Sequence, residues 1–430
     1  MKTPLFLTLT ALAALAQKPE PDRVIAAMKE RAMADQVARM KTDERIAFYQ
    51  SLAETQPANL HYRNLLAATY LQKTRETTDS AYSERASKLL DQVLGADGSN
   101  YEARRLRTEI YLERHEFKKA IESSRTLTRV APGDPWNWGT LGDALIEWGD
   151  YDGAAEAYQK MADLRPDLAS YNRAAWYRFV AGDLNGALDL MRTAANSGSA
   201  GENLAWVLVE LGNLQIRAAR LDDAQNSFTA AAKVFPNYHP ALAAQGRLAA
   251  RAGRSAEAIA LYKRAQAATP LPEYAAALHD LYREAGQQKE AASQLALLDT
   301  IDKLGQANGE KANRSLALIY ADRNHKPARA LELAKAELEF RQDVFTYDVL
   351  AWVLYRNGRF EEAAEAMAKA LKMETPEASF HYHAGLIAKA LGKNADAVRH
   401  LRRALELNLG TELNQPAIAR QTLAGLEPGS

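Results

Sequence analysis

One residue type keeps time along this chain. Alanine recurs at Ala86, Ala120, Ala154, Ala187, Ala224, Ala258, Ala291, Ala330, Ala363 and Ala397, a step of about 34 residues. The step widens twice, between Ala187 and Ala224 and between Ala291 and Ala330. Such a period constrains the fold severely, because a unit this short cannot bury its own apolar face and must stack on its neighbours. An alanine-rich chain can produce a ladder by chance, so other positions must keep step. They do. Glycine lies five residues earlier at Gly149, Gly182, Gly253, Gly286, Gly358 and Gly392. A large side chain lies four residues later at Tyr158, Met191, Phe228, Tyr262, Met367 and Leu401. Proline follows at Pro132, Pro166, Pro236 and Pro270, with Pro376 one residue further on.

Each unit therefore reads as a helix, a tight turn, a second helix and a proline that cannot continue it. The alanine lets the two helices approach, and the large residue one turn later fills the space beside it. The segment Trp138-x-x-Leu141-Gly142-x-x-Leu145, with Gly149, Asp150, Tyr151, Ala154, Tyr158 and Pro166, closely resembles the tetratricopeptide-repeat pattern. Leu145 stands where that family usually has tyrosine. Leu208, Leu211, Gly212, Leu221, Ala224, Phe228 and Pro236 make a second match. The resemblance implies an all-α, right-handed superhelical solenoid of antiparallel helix pairs with helical caps, with about ten repeats over 57–411. Residues 17–56 read as an N-terminal helical cap and 412–430 as a C-terminal capping helix and tail. Polar Lys73 to Ser80 and the segments 197–203 and 303–312 mark irregular joints.

The first residues carry a different signal. Lys2 precedes an uncharged, mostly apolar run from Pro4 to Ala16 that closes on Ala14-Leu15-Ala16, a small-x-small cleavage pattern. Residues 1–16 thus read as a signal peptide, and the mature chain is expected to be exported, periplasmic or secreted, beginning at Gln17. That run is too short to span a bilayer, and no later segment is long and apolar enough. Cysteine is absent from all 430 residues, which removes disulfides, thiol catalysis and a lipoprotein anchor.

No catalytic apparatus is legible, and the expectation is a protein that is not an enzyme and carries no cofactor or metal. The chain has no phosphate-binding Gly-Lys-Ser/Thr loop, Gly-x-Ser-x-Gly elbow or His-Glu-x-x-His helix. His381 and His383, two apart on a helix, face roughly opposite ways and cannot easily share a metal. Glu361-Glu362 and Asp222-Asp223 open second helices, where they complement the helix dipole. Lys+Arg and Asp+Glu both number 54. With that balance Arg399, Arg402 and Arg403 read as a solvated helix face, and nucleic acid is not an expected partner.

By the family resemblance, first helices line a concave groove, and their groove-facing positions would hold the binding residues. Here those positions carry Trp136, Asp143, Asn172, Trp176, Phe179, Trp206, Asn213, Arg217, Arg247, Arg251, Arg323, Trp352, Tyr355 and Arg356. Tryptophan and arginine dominate binding hot spots. Two family specialisations fit poorly. Asn213 fits one slot of a carboxylate clamp, but its lysines are missing. The asparagine ladder of sugar-transferring relatives is replaced by Thr140, Arg173, Glu210, Ala244 and Ala277. The expected function is an exported scaffold that holds an extended peptide or a partner subunit in the groove. The alternative is a polysaccharide-binding accessory of envelope polymer export or assembly.

Overall fold

The computed structural model describes residues 36–37, 39–198, 200–308, 310, 312–410 and 414–427. The segment 1–16, read as a signal peptide, lies outside the described residues, as does most of 17–41. Every regular element among the described residues is helical. Helix α1 (Thr42–Thr55) leads into pairs that begin with α2 (Leu60–Thr77) and α3 (Ser80–Ala96). Then come α4 (Tyr101–Glu113) and α5 (Phe117–Val130), α6 (Pro135–Trp148) and α7 (Tyr151–Leu164), and α8 (Leu168–Val180) and α9 (Leu184–Ala195). The middle pairs are α10 (Gly201–Arg217) with α11 (Leu221–Val234) and α12 (His239–Arg251) with α13 (Ser255–Ala268). They continue through α14 (Pro272–Glu284) with α15 (Gln288–Ala307) and α16 (Arg314–Asp322) with α17 (Pro327–Glu337). The last are α18 (Val344–Arg356) with α19 (Phe360–Ala370) and α20 (Ala378–Ala390) with α21 (Asn394–Glu406), before α22 (Gln415–Leu426).

The sequence punctuation explains these boundaries. Asp134 caps α6 by accepting from the Trp136 N–H, with Pro135 in the first turn, where its missing N–H costs nothing. Asp150, Asp167 and Asp183 cap α7, α8 and α9 in the same way, each such cap contributing about 1 kcal/mol. The turn inside each pair needs one left-handed residue. Gly149 supplies it at φ 81°, while His115 and Ala219 take the same role in pairs that lack the glycine. The extra residues of the irregular joints go largely into longer helices. Lys73 to Thr77 extends α2, α10 has 17 residues, and α15 has 20.

The ladder itself is buried between the paired helices. Nine of its alanines are fully buried, and Ala291 is 2% exposed. Glycine on the facing first helix makes room for the large residue that follows. A Cβ on Gly142 would lie 2.4 Å from Tyr158, and one on Gly212 would lie 2.2 Å from Phe228. Both distances are far inside van der Waals contact, so these glycines are fixed by packing.

The solenoid also touches itself. The Tyr151 hydroxyl accepts from the Val344 N–H at 2.9 Å, 193 residues away. Thr375 Oγ1 donates to the Val180 carbonyl at 2.6 Å across 195 residues, and Asn408 Nδ2 to the Ile216 carbonyl at 2.7 Å across 192. Thr269 Oγ1 and the Thr77 carbonyl repeat that 192-residue offset at 3.3 Å. Such a constant offset is about six repeats, so one superhelical winding closes on the next along an edge-to-edge seam. Arg341, almost buried, sits in this seam with Glu147 at 3.1 Å, Glu337 at 2.8 Å and the Phe117 ring at 5.1 Å. Arg217 crosses it to Glu377 at 2.8 Å. At Gly149 an added Cβ would lie 2.6 Å from the Gln342 carbonyl oxygen, so glycine is required there twice over, by backbone angle and by the neighbouring winding.

Candidate functional site: the lumen of the first winding

A cavity of about 1100 Å³ lies on the concave side, lined by the first helices α2, α4, α6, α8, α10 and α12. Its wall gathers Trp136, Trp176 and Trp206 with Asp143, Asn172 and Arg173. Trp206 is the most open, 41% exposed. Trp136 carries the Arg105 guanidinium 4.6 Å above its ring. Trp176 stacks on Phe345 of the next winding, centroids 5.5 Å apart at 18°. Arg173 clamps Asp143 through Nε and Nη2 at 2.7–3.0 Å, and the Tyr158 hydroxyl donates to the same carboxylate at 3.0 Å.

The other residues expected in the groove are distributed differently. Asn213 and Arg247 hydrogen-bond to each other rather than facing the cavity. Arg217 lies over the fully buried Phe179 ring at 4.8 Å while it pairs with Glu377, and Arg251 donates to Asn408 at 2.8 Å. These belong to the seam. Arg323 is ion-paired with Asp280, largely out of solvent. Trp352 is buried, stacked on His383 at 4.2 Å and Tyr355 at 5.0 Å, with its Nε1 donating to Asp322 at 2.8 Å. Arg356 lies 5.6 Å above that indole. Phe179 and Trp352 are therefore packing residues, not groove surface: the neighbouring helix and winding cover the faces that their register points inward.

Sequence reasoning placed Asp143 in the groove but passed over the lumen's glutamates as binding residues. Glu202, Trp206 and Glu210 are four apart on α10, a spacing that puts all three on one face. Glu109 and Glu113 repeat it on α4, and all four carboxylates line the cavity. Burial pushes the Glu113, Glu202 and Glu210 carboxyls above their ordinary value. Burial also holds His239, at the same wall, down to about 4, so it is neutral at pH 7. In the last helix pair, away from the lumen, His381 Nδ1 meets His400 Nδ1 at 3.0 Å, while His383 turns the other way to Asp348 at 2.8 Å. No group of three potential metal ligands occurs among the described residues, and no helix among them is long and apolar enough to cross a membrane.

Paired helices, a ladder of buried alanines and a lumen walled by first helices define a solenoid scaffold of the tetratricopeptide type. Tetratricopeptide-repeat family models match residues 137–168, 209–272 and 349–410, so these segments carry that repeat. Comparison with curated proteins finds no match. Among solved structures, the APC/C hetero-tetramer Cut9-Hcn1 is similar at 13% identity and a TM-score of 0.48, over 89% of this chain and 67% of that one. PilW, a type IV pilus biogenesis factor, is similar at 14% identity and a TM-score of 0.41, over 47% and 93%. A tetratricopeptide-repeat protein from Parabacteroides merdae is similar at 19% identity and a TM-score of 0.35, over 60% and 98%.

Proposed function

We propose that this protein is an exported scaffold that holds an extended peptide, or an extended segment of a partner subunit, in the lumen of its first winding. The observation that carries the reading is the lumen itself: about 1100 Å³, with indoles from α6, α8 and α10 on one wall. A peptide laid along it would meet several first helices at once, so that anchors contributed by different repeats would hold one ligand. Alanine at Trp136 and Trp206 together should weaken capture of the native partner by thirtyfold or more, at about 2 kcal/mol for one well-buried anchor. Alanine at Arg402 and Arg403, on the second helix α21, should leave capture unchanged. Loss of capture in the arginine pair alone would place the partner on the convex face.

Export is part of the same reading and rests on Lys2, the apolar run and Ala14-Leu15-Ala16. Intact-mass measurement of protein from the native envelope should show a chain starting at Gln17; a full-length cytosolic product overturns this part. A polysaccharide is the second reading, favoured by the open Trp206 indole, which offers a flat face to a sugar ring. Retention on envelope polymer rather than recovery of a recurrent protein would decide for it.

A further inference from the structure

The lumen is acidic once its internal pairs are set aside. Its wall holds five carboxylates, Glu109, Glu113, Asp143, Glu202 and Glu210, against two guanidiniums, Arg75 and Arg173. Arg173 is committed to Asp143, and Arg75 to Glu109. Glu202 and Glu210 take their hydrogen bonds from neutral donors: the Tyr238 hydroxyl reaches Glu202 Oε1 at 3.2 Å, and Asn213 Nδ2 reaches Glu210 Oε1 at 3.1 Å, while Arg75 acts on the first and Arg217 and Arg247 on the second through space. Glu202 is only 7% exposed, and its second oxygen, Oε2, is buried without a hydrogen-bond partner. A buried acceptor left unmet costs about 1–3 kcal/mol, more when charged. A wall that keeps one, beside an exposed indole, is built to be completed by a donor from outside.

The spacing says what kind of donor. Glu202 and Glu210 are eight residues apart on α10, about 12 Å along the axis at 1.5 Å per residue. In an extended peptide, residues i and i+4 point the same way and lie about 13 Å apart. Trp206 sits midway between the two carboxylates, where the side chain of residue i+2 would fall. Indole faces also attract cations and cover the methylene stems of lysine and arginine.

We propose that the lumen's occupant is a cationic extended segment with Lys or Arg at the same-face positions i and i+4 and an apolar residue between them at i+2. The cations are received by Glu202 and Glu210, and the apolar residue lies on Trp206. This rests on the lumen reading above and adds the chemistry of the ligand. Glu202 and Glu210 are positioned for it by the two hydrogen bonds just given, from α10's neighbour segment and from α10 itself.

The test uses the full-length protein and four defined probes: an acetylated, amidated Gly-Lys-Ala-Leu-Ala-Lys-Gly peptide, the same peptide with Glu for Lys, a permutation with the two lysines adjacent, and a linear glucan oligosaccharide. Binding is read by calorimetry and by Trp206-dependent fluorescence. The first peptide should bind best, and the pair Glu202→Gln and Glu210→Gln should weaken it about tenfold, with Glu210→Gln alone giving a smaller loss. Raising salt should weaken it too. Equal binding of the glutamate peptide, abolished by Trp206→Ala, overturns the cationic class and leaves the lumen reading in place. Equal binding of the permuted peptide overturns the i, i+4 spacing. Absence of any Trp206-sensitive peptide binding overturns both readings, as does preference for the oligosaccharide.

Discussion

Trp176 and Trp352 are each the ninth residue of a first helix, in α8 and α18, and they end in different surroundings. Trp176 stays half-buried on the wall of the lumen, stacked on Phe345. Trp352 is enclosed between His383 and Tyr355 and tied to Asp322. Position in the repeat decides which way a side chain points; the next helix decides whether anything is left to point at. Most of the second winding's core runs as one cluster from Ala275 to Ala419, with Val344 and Phe380 joining a first-winding cluster across the seam, whereas the first winding is divided among several smaller clusters. The first winding keeps an open lumen, and the second packs against its edge along the seam.

The sharpest way to break this contrast is a matched pair of truncations. Trp352→Ala should cost about 3–5 kcal/mol, as for a buried aromatic, while Trp206→Ala should stay within about 0.5 kcal/mol. Urea melts that rank them the other way would reverse the roles of the two windings. The seam gives the next largest effect. Gly253→Ala, at φ 73° with open space around it, should cost about 1 kcal/mol for the backbone alone. Gly149→Ala must also displace Gln342, so about 2–3 kcal/mol is expected. Equal melting shifts would mean that the windings do not bear on each other. Within a helix pair, by contrast, the windings should be alike: Ala154→Leu and Ala363→Leu, both fully buried, should overpack by the same 1–3 kcal/mol, give or take about half a unit. The smallest effect is on pH. Burial raises Glu202, opposed by Arg75 and Tyr238 and reinforced by Glu76, and raises Glu210, opposed by Arg217, Arg247 and Asn213. The folded chain thus holds their protons more tightly than the unfolded one. Stability should fall as pH rises from the ordinary carboxylate range through the raised values, and the Glu202→Gln, Glu210→Gln pair should flatten that slope in melts run upward from the ordinary carboxylate range.

The repeat was legible because its signals are local. Ala154, Gly149 and Tyr158 lie within one helix pair, and their spacing alone states how two helices meet. The seam was not. It depends on small rotations that accumulate over about six repeats, and no short window of sequence records their sum. Arg217 and Arg251 therefore looked like open groove residues, and their partners Glu377 and Asn408 could not be named. Phe179 and Trp352 were misjudged for the same reason, since the register shows their direction and not their cover. Glu202 and Glu210 are a different omission. Their four-residue spacing with Trp206 is visible in the sequence, but a glutamate on a helix face, unlike tryptophan or arginine, carries no preference for binding hot spots.

The constant offset across the seam also bears on how such a chain gains its shape and changes its length. An open solenoid has only neighbour-to-neighbour contacts, so it can fold from any point, fray from either end, and gain or lose a unit with little disturbance elsewhere. Here Tyr151 must wait for Val344, and Val180 for Thr375, before the edge closes. Such distant pairings raise the contact order, which slows folding and couples the two ends into a single transition. Excising one internal unit would slide every later partner past its mate by a full repeat and leave Gly149 facing the wrong loop. The number of units between seam partners is set by a winding number, and a viable relative with more or fewer units would have to add or remove them outside the closed coil.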